Sequence, residues 1–304
     1  MISNQNKAYF FAATAIFFWS TVATAFKLSL EYLEPVQLVF YATIFSVLVL
    51  FFILLFQGKL KLISHFTMES LLRCALLAIL NPCLYYIILL HAYDILPAQE
   101  AMAINYSWVV MMVILSIPIL KQRIGMKAFL SIIISYIGVI VIATNGDLLS
   151  MQFDNPKGVF YALITTVIWA LFWLFNTKHK NDTVVSLFLI FLFSLPFIAF
   201  AVLFSSSFVI PSINGVIGAA YVGLFEMGIT FVVWQSALRM TSNVAKVTSL
   251  VFITPFLSLL IVQLFLKEVI LTSTVVGIVL IIFGLLLQKF FTKRSTKPSY
   301  LDGS

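Results

Sequence analysis

Charge is what this chain of 304 residues has least of: Lys, Arg, Asp and Glu together make up 10%, while 62% is hydrophobic. A water-soluble domain is about a quarter charged and about half apolar. A chain this poor in charge has too little polar surface to face water on all sides, and lipid is the solvent that makes the composition workable. Cysteine is nearly absent, with only Cys74 and Cys83, both inside one apolar run. That pattern implies neither a disulfide framework nor a cysteine metal cluster. The three histidines, His65, His91 and His179, are dispersed at different span ends. The chain contains no H-E-x-x-H, no G-x-S-x-G and no Walker motif, which argues against an intramembrane hydrolase and against ATP drive. No cofactor and no metal are expected. Gaps long enough to hold a soluble domain are missing as well.

What is present is a series of apolar runs of about the 20 residues that a membrane helix needs. They lie at 8–28, 35–56, 70–91, 97–118, 127–144, 157–177, 184–204, 213–235, 243–265 and 272–291. Backbone groups in hydrocarbon must bond within their own helix, so every run reads as helical. The expectation is an all-α integral membrane protein with ten transmembrane helices. Ala23-Thr24-Ala25 looks like a signal-peptide cleavage site. That segment has a counterpart later in the chain, however, and is read as span 1.

The net charge of +7 does not imply a nucleic-acid partner, because the basic residues are scattered singly in short gaps. It carries topology instead. With both termini cytoplasmic, fourteen Lys and Arg residues fall inside and only Lys27, Lys157 and Lys267 outside, with Lys246 within a span. The two halves also resemble each other weakly. Phe18-Trp19-Ser20 pairs with Ile168-Trp169-Ala170, Asn81 with Glu226, Tyr85 with Thr230, Trp108-Val109 with Thr254-Pro255, and Lys121 with Lys267. The offset is near 145–151 residues, half the chain. Five spans per half is an odd number, so the second half enters the membrane upside down. Two inverted five-helix repeats, 1–145 and 146–292, are expected, followed by a cytoplasmic tail at 293–304. Inverted repeats place a substrate site near the midplane between the halves.

Span 1 reads Phe18-Trp19-Ser20-Thr21-Val22-Ala23-Thr24-Ala25-Phe26-Lys27, and span 8 reads Gly223-Leu224-Phe225-Glu226-Met227-Gly228-Ile229-Thr230-Phe231-Val232-Val233-Trp234. With Pro255 and Lys267-Glu268 after it, the chain resembles the EamA family of the drug/metabolite transporter superfamily over nearly its whole length. In the first half, Val109 stands where many relatives have Pro, and Lys121-Gln122-Arg123 departs from the family's basic-acidic pair. Asn105-Tyr106-Ser107-Trp108 resembles the branch containing aromatic-amino-acid exporters. The resemblance implies ten spans, inverted repeats, alternating-access movement of small metabolites, and a bacterial inner membrane.

Glu226 is the sharpest candidate, because an acid at mid-span is expensive. It can bind a substrate amine, carry a coupling proton, or act as a neutral structural clamp. Thr230 and Trp234 lie near it at helical spacing, and Asn81 and Tyr85 occupy the matching face of span 3. Pro82 frees a carbonyl there, which fits either a lined cavity or a simple kink. Trp19 and Trp169 sit mid-span and read as cavity lining, whereas Trp173 is nearer an interface. Asn105 and Trp108 share a face of span 4 and read as substrate contacts or interhelical bonds. Lys246 can snorkel to the surface or meet a substrate carboxylate. The leading expectation is a secondary transporter, an exporter, of a small metabolite such as an amino acid or amine, working as a monomer or homodimer in the lipid bilayer. A channel or non-transporting membrane protein is the alternative, ahead of an intramembrane enzyme.

Overall fold

Helices start where the sequence supplies a first turn that needs no outside partner. Pro35 and Pro156 each stand at the first helical position, where a missing N–H costs nothing. Asp182 and Ser212 accept the amide hydrogens of Val184 and Gly215, at 2.9 and 3.3 Å. The structure, a computed structural model, describes residues 4–120, 125–147, 153–176, 181–241, 247 and 250–295. Its helices are α1 (Asn4–Leu30), α2 (Pro35–Phe56), α3 (Met68–Ala78), α4 (Tyr85–Ile95), α5 (Ala98–Asn105), α6 (Trp108–Leu120), α7 (Met126–Ala143), α8 (Pro156–Asn176), α9 (Thr183–Ser205), α10 (Ile213–Tyr221), α11 (Ile229–Met240), α12 (Thr254–Leu266) and α13 (Thr272–Ser295). There is no strand among the described residues.

Two of the long helices are interrupted by wide π-helical turns. Ile79–Leu84 joins α3 to α4, and Val222–Glu226 leads from α10 toward α11. Among the described residues, 8 helices are long and apolar enough to cross a membrane, and Phe129–Ala143 and Leu250–Leu266 are shorter apolar helices. The chain is an all-α, multi-pass membrane protein.

The core is apolar, but it also buries hydroxyls, and large apolar side chains lie exposed on the outside. Ser20, Thr43, Ser46, Thr165 and Ser194 are fully buried, while Phe56, Phe204 and Leu264 are exposed. Ser20 donates to the Ile16 carbonyl and Thr43 to that of Val39, each at 2.7 Å within its own helix, while Ser46 donates across the bundle to the Met227 carbonyl at 2.9 Å. Exposed apolar rings would be a liability in water and cost nothing against acyl chains.

The tightest helix pair is α7 with α13. A Cβ placed on Gly277 would lie 2.3 Å from Ile142 Cγ1 and 2.6 Å from the Gly138 carbonyl oxygen. One on Gly284 would lie 2.3 Å from Ser135 Oγ and 2.5 Å from the Ser131 carbonyl oxygen. Small residues let the two backbones touch, which is how helices associate where lipid offers no hydrophobic drive. Ser135 adds a hydrogen bond to the Ile281 carbonyl at 3.1 Å. Elsewhere α1 packs on α11 and α12, α2 on α9, and α8 on α4 and α6.

Polar contacts tie the ends of the bundle. The Glu268 carboxylate accepts from the Ala98 and Gln99 amides at 2.8 and 3.2 Å, at the start of α5. An anion is stabilised there by the helix dipole. The Gln99 side chain in turn donates to the Val269 carbonyl and accepts from the Leu271 amide. Near the opposite end of α2, Lys59 and Asp182 form a salt bridge at 2.8 Å. Burial opposes the Asp182 charge, but the Lys59 ammonium and the Val185 and Val184 amides outweigh it and hold its carboxyl below the usual range.

Candidate functional site

The interruptions in the long helices place polar groups at mid-span. Asn81 takes non-helical backbone angles (φ −144°, ψ 123°) within the first wide turn, and Glu226 closes the second. Beside them α1, α4, α5, α6, α8 and α11, with residues 251–254, enclose a cavity of about 480 Å³. That volume falls within the roughly 300–1,000 Å³ of small-molecule sites.

Aromatic rings make most of its wall. Trp19, Trp108, Trp169, Trp173 and Trp234 all line it, and they are all the tryptophans the chain has. Phe231 knits them together, with its ring centroid 6.3 Å from Trp19 and 6.2 Å from both Trp169 and Trp173. Trp19 and Trp234 lie 5.3 Å apart in a tilted pair. Trp169 stacks on Tyr85 at 4.3 Å and meets Trp108 edge-on at 6.3 Å. Offset and edge-on rings such as these stabilise one another by about 0.5–1.5 kcal/mol per pair beyond their burial.

The polar lining is sparse, and within it Trp173 Nε1 and Thr254 Oγ1 are buried without a hydrogen-bond partner among the described residues. The Tyr85 hydroxyl donates to Asn105 Oδ1 at 3.2 Å, and Asn105 Nδ2 donates to Thr165 Oγ1 at 2.9 Å. The Tyr106 hydroxyl donates to the Val251 carbonyl at 2.8 Å. Glu226 is engaged through one oxygen. The Tyr86 hydroxyl donates to its Oε1 at 2.9 Å, whereas its Oε2 has no hydrogen-bond partner among the described residues. The residue is only 9% exposed and faces the cavity. A carboxylate oxygen buried without a partner is costly, and a ligand that donates to it removes the cost. No group of three or more His, Cys, Asp or Glu able to hold a metal occurs among the described residues.

Of the residues singled out from the sequence, Trp19, Tyr85, Asn105, Trp108, Trp169, Glu226 and Trp234 line this one cavity. Asn81 and Thr230 are fully buried and lie outside the lining. The Thr230 hydroxyl is turned onto the Phe225 carbonyl, and both polar atoms of the Asn81 side chain lack a partner among the described residues. Lys246 lies outside the described residues. Tyr86, Tyr93, Tyr106, Phe26 and Phe231 belong to the site or its support and were not singled out. Tyr86, next to the Tyr85 singled out from the sequence, is the residue that donates to Glu226.

Comparison with known proteins places the chain in context. The EamA-like transporter family model matches residues 6–144 and again 156–288. An uncharacterized transporter of Clostridium kluyveri is 24% identical over 299 residues, covering 96% of each chain. An uncharacterized transporter in the sor 3' region of Acidianus ambivalens is 27% identical over 214 residues, 70% of this chain and 82% of that one. One crystal structure, of a chain described only as a protein, superposes with a TM-score of 0.67 at 18% identity, over 95% of this chain and 99% of that one. At that identity the likeness is one of fold.

Proposed function

The chain belongs to the EamA-like transporter family, a membrane transporter and not an enzyme by family and relatives, and from that premise we propose that it exports a small metabolite, an amino acid or amine, by alternating access. The observation that carries the reading is the mid-span cavity in which one carboxylate oxygen stands unpartnered among aromatic rings. The bundle works as ten spans in two inverted repeats, 1–145 and 146–292, with a tail at 293–304. Several features support that division. The wide turns at Ile79–Leu84 and Val222–Glu226 fall at corresponding places in the two halves. The turn at Tyr106–Ser107 corresponds to the 3₁₀ segment Leu250–Ile253. Broken helices around a central site are the pattern from which alternating-access transporters are built. The excess of Lys and Arg in one set of gaps supports cytoplasmic termini, in what we read as a bacterial inner membrane.

In this reading Glu226 receives the substrate amine and exchanges it for a proton. Trp19, Tyr85, Asn105, Trp108, Trp169 and Trp234 shape the pocket, Asn81 and Thr230 support it from behind, and Lys246 meets substrate at the edge. Purified protein in liposomes, offered a panel of radiolabelled amino acids, amines and nucleotides, is expected to move one class with saturable kinetics. Glu226→Gln should lower that flux tenfold or more, and Trp19→Ala should raise KM. Saturable flux untouched by both substitutions would place the site elsewhere. Flux that never saturates and carries current would make the protein a channel. Independence of a pH gradient, with full activity in Glu226→Gln, would remove the proton from the cycle.

A further inference from the structure

The chemistry of the cavity narrows the ligand beyond "amino acid or amine". Among the described lining residues Glu226 is the one acid, and its partnered oxygen is already held by Tyr86. The second oxygen is buried and unpartnered among the described residues, on a residue that lines the cavity. A group that meets it must donate hydrogen bonds, and in a low-dielectric site a cation does so with the largest gain. The surrounding tryptophan, tyrosine and phenylalanine faces favour the same charge through their ring quadrupoles, and they offer flat apolar walls to an aromatic ring. The tilted Trp19–Trp234 pair and the Trp169–Tyr85 stack form two separate aromatic walls. Lys289 also lines the cavity and has interactions of its own.

Resting on the transporter reading, we propose that the ligand class is an arylalkylamine bound as its cation, with the ammonium on the Glu226 carboxylate, the ring among the tryptophans, and no requirement for a carboxylate. An amino acid has the same two groups plus an anion, which must enter an aromatic pocket next to the one carboxylate, where the unpartnered donors Trp173 Nε1 and Thr254 Oγ1 are neutral. The carboxylate therefore weakens binding instead of supplying it.

The distribution of tryptophan provides the assay. Every tryptophan of the chain lines this cavity, so intrinsic indole emission of the full-length protein in detergent reports occupancy without any transport step. The probes are phenethylamine, phenylalanine and 3-phenylpropionate, which share a ring and differ only in charged groups. Phenethylamine is expected to change the emission saturably, phenylalanine to bind at least tenfold more weakly, and phenylpropionate to leave the emission unchanged. Glu226→Gln should weaken phenethylamine at least tenfold, and Glu226→Asp, which keeps the charge, should recover part of the loss. Phenylalanine binding as well as phenethylamine, or Glu226→Gln binding it like the parent, overturns the proposal. If Glu226→Gln fails to fold, the ranking of the three probes on the unaltered protein decides. Liposome flux separates the two readings. Saturable flux of other solutes with no phenethylamine binding overturns the ligand class and leaves the transporter standing. Phenethylamine binding with no flux of anything leaves the site and overturns the transporter.

Discussion

The α7–α13 seam and the aromatic cavity are opposite solutions to packing in lipid. At the seam, Gly138, Gly277 and Gly284 bring backbone against backbone, and nothing larger fits. At the cavity, five tryptophans with Phe231 and Tyr85 meet at ring distances of 4.3 to 6.3 Å and leave about 480 Å³ open. Small residues close a gap completely because they have no shape to accommodate. Large rigid rings touch at their edges and cannot fill the space between them. One region joins two helices along their backbones and the other leaves a cavity among its rings. Substitutions in the two should therefore fail in different ways.

The largest effect is expected at the seam. Gly277→Leu would drive a side chain into the Ile142 side chain and the Gly138 carbonyl, at a cost of about 3 kcal/mol. Thermal unfolding in detergent, followed by size-exclusion fluorescence, should show a lower midpoint and a loss of monodisperse protein. Next in size is Glu226→Gln, which keeps an acceptor for Tyr86 and removes the charge. Flux should fall at least tenfold, with the unfolding midpoint little changed. A large drop in stability with flux per folded molecule intact would make Glu226 a clamp and erase the contrast. Trp169→Ala should come third. Losing the stack on Tyr85 is expected to raise KM about fivefold, within the span of aromatic pair energies, with a smaller stability change than at the seam.

The smallest effect belongs to the Lys59–Asp182 pair, whose side chains are 23% and 18% exposed. Asp182→Asn keeps a helix cap and loses the ion pair, which is worth at most about 1 kcal/mol. Because folding lowers the Asp182 pKa below its ordinary 3.8, the pair contributes fully above that pH. Its contribution fades as the pH falls through the lower, folded-state value. The stability difference between Asp182→Asn and the parent should therefore be constant at neutral pH and shrink in strong acid. A difference that grows as pH falls would contradict this assignment.

Much of the architecture was legible because membrane helices announce themselves. The run read as 35–56 is α2 to the residue, since Pro35 and Gly58 punctuate both of its ends. Trp19 and Trp169 were legible as lining because they sit mid-span, whereas Trp173, read as nearer an interface, lines the cavity as well. What the sequence hid was phase. Counting four residues from Asn81 gives Tyr85, but the wide turn at Ile79–Leu84 inserts extra backbone and rotates the next helix by about one residue, roughly 100°. Tyr86 is thereby the residue that meets Glu226. The same fault lies between Glu226 and Thr230, where Met227 and Gly228 leave the helix and Thr230 turns back to the Phe225 carbonyl. Glycine contacts were equally invisible, since a glycine in a span reads the same whether it faces lipid or a neighbouring backbone.

The Glu268 contacts at the start of α5 bear on hydration. A helix beginning near the edge of hydrocarbon has amides that its own carbonyls cannot reach, and these ordinarily draw water into the membrane surface. Here a carboxylate from a loop some 170 residues away in sequence accepts two of them. In the first turn of α5, protein oxygen thereby does what solvent does at other helix starts.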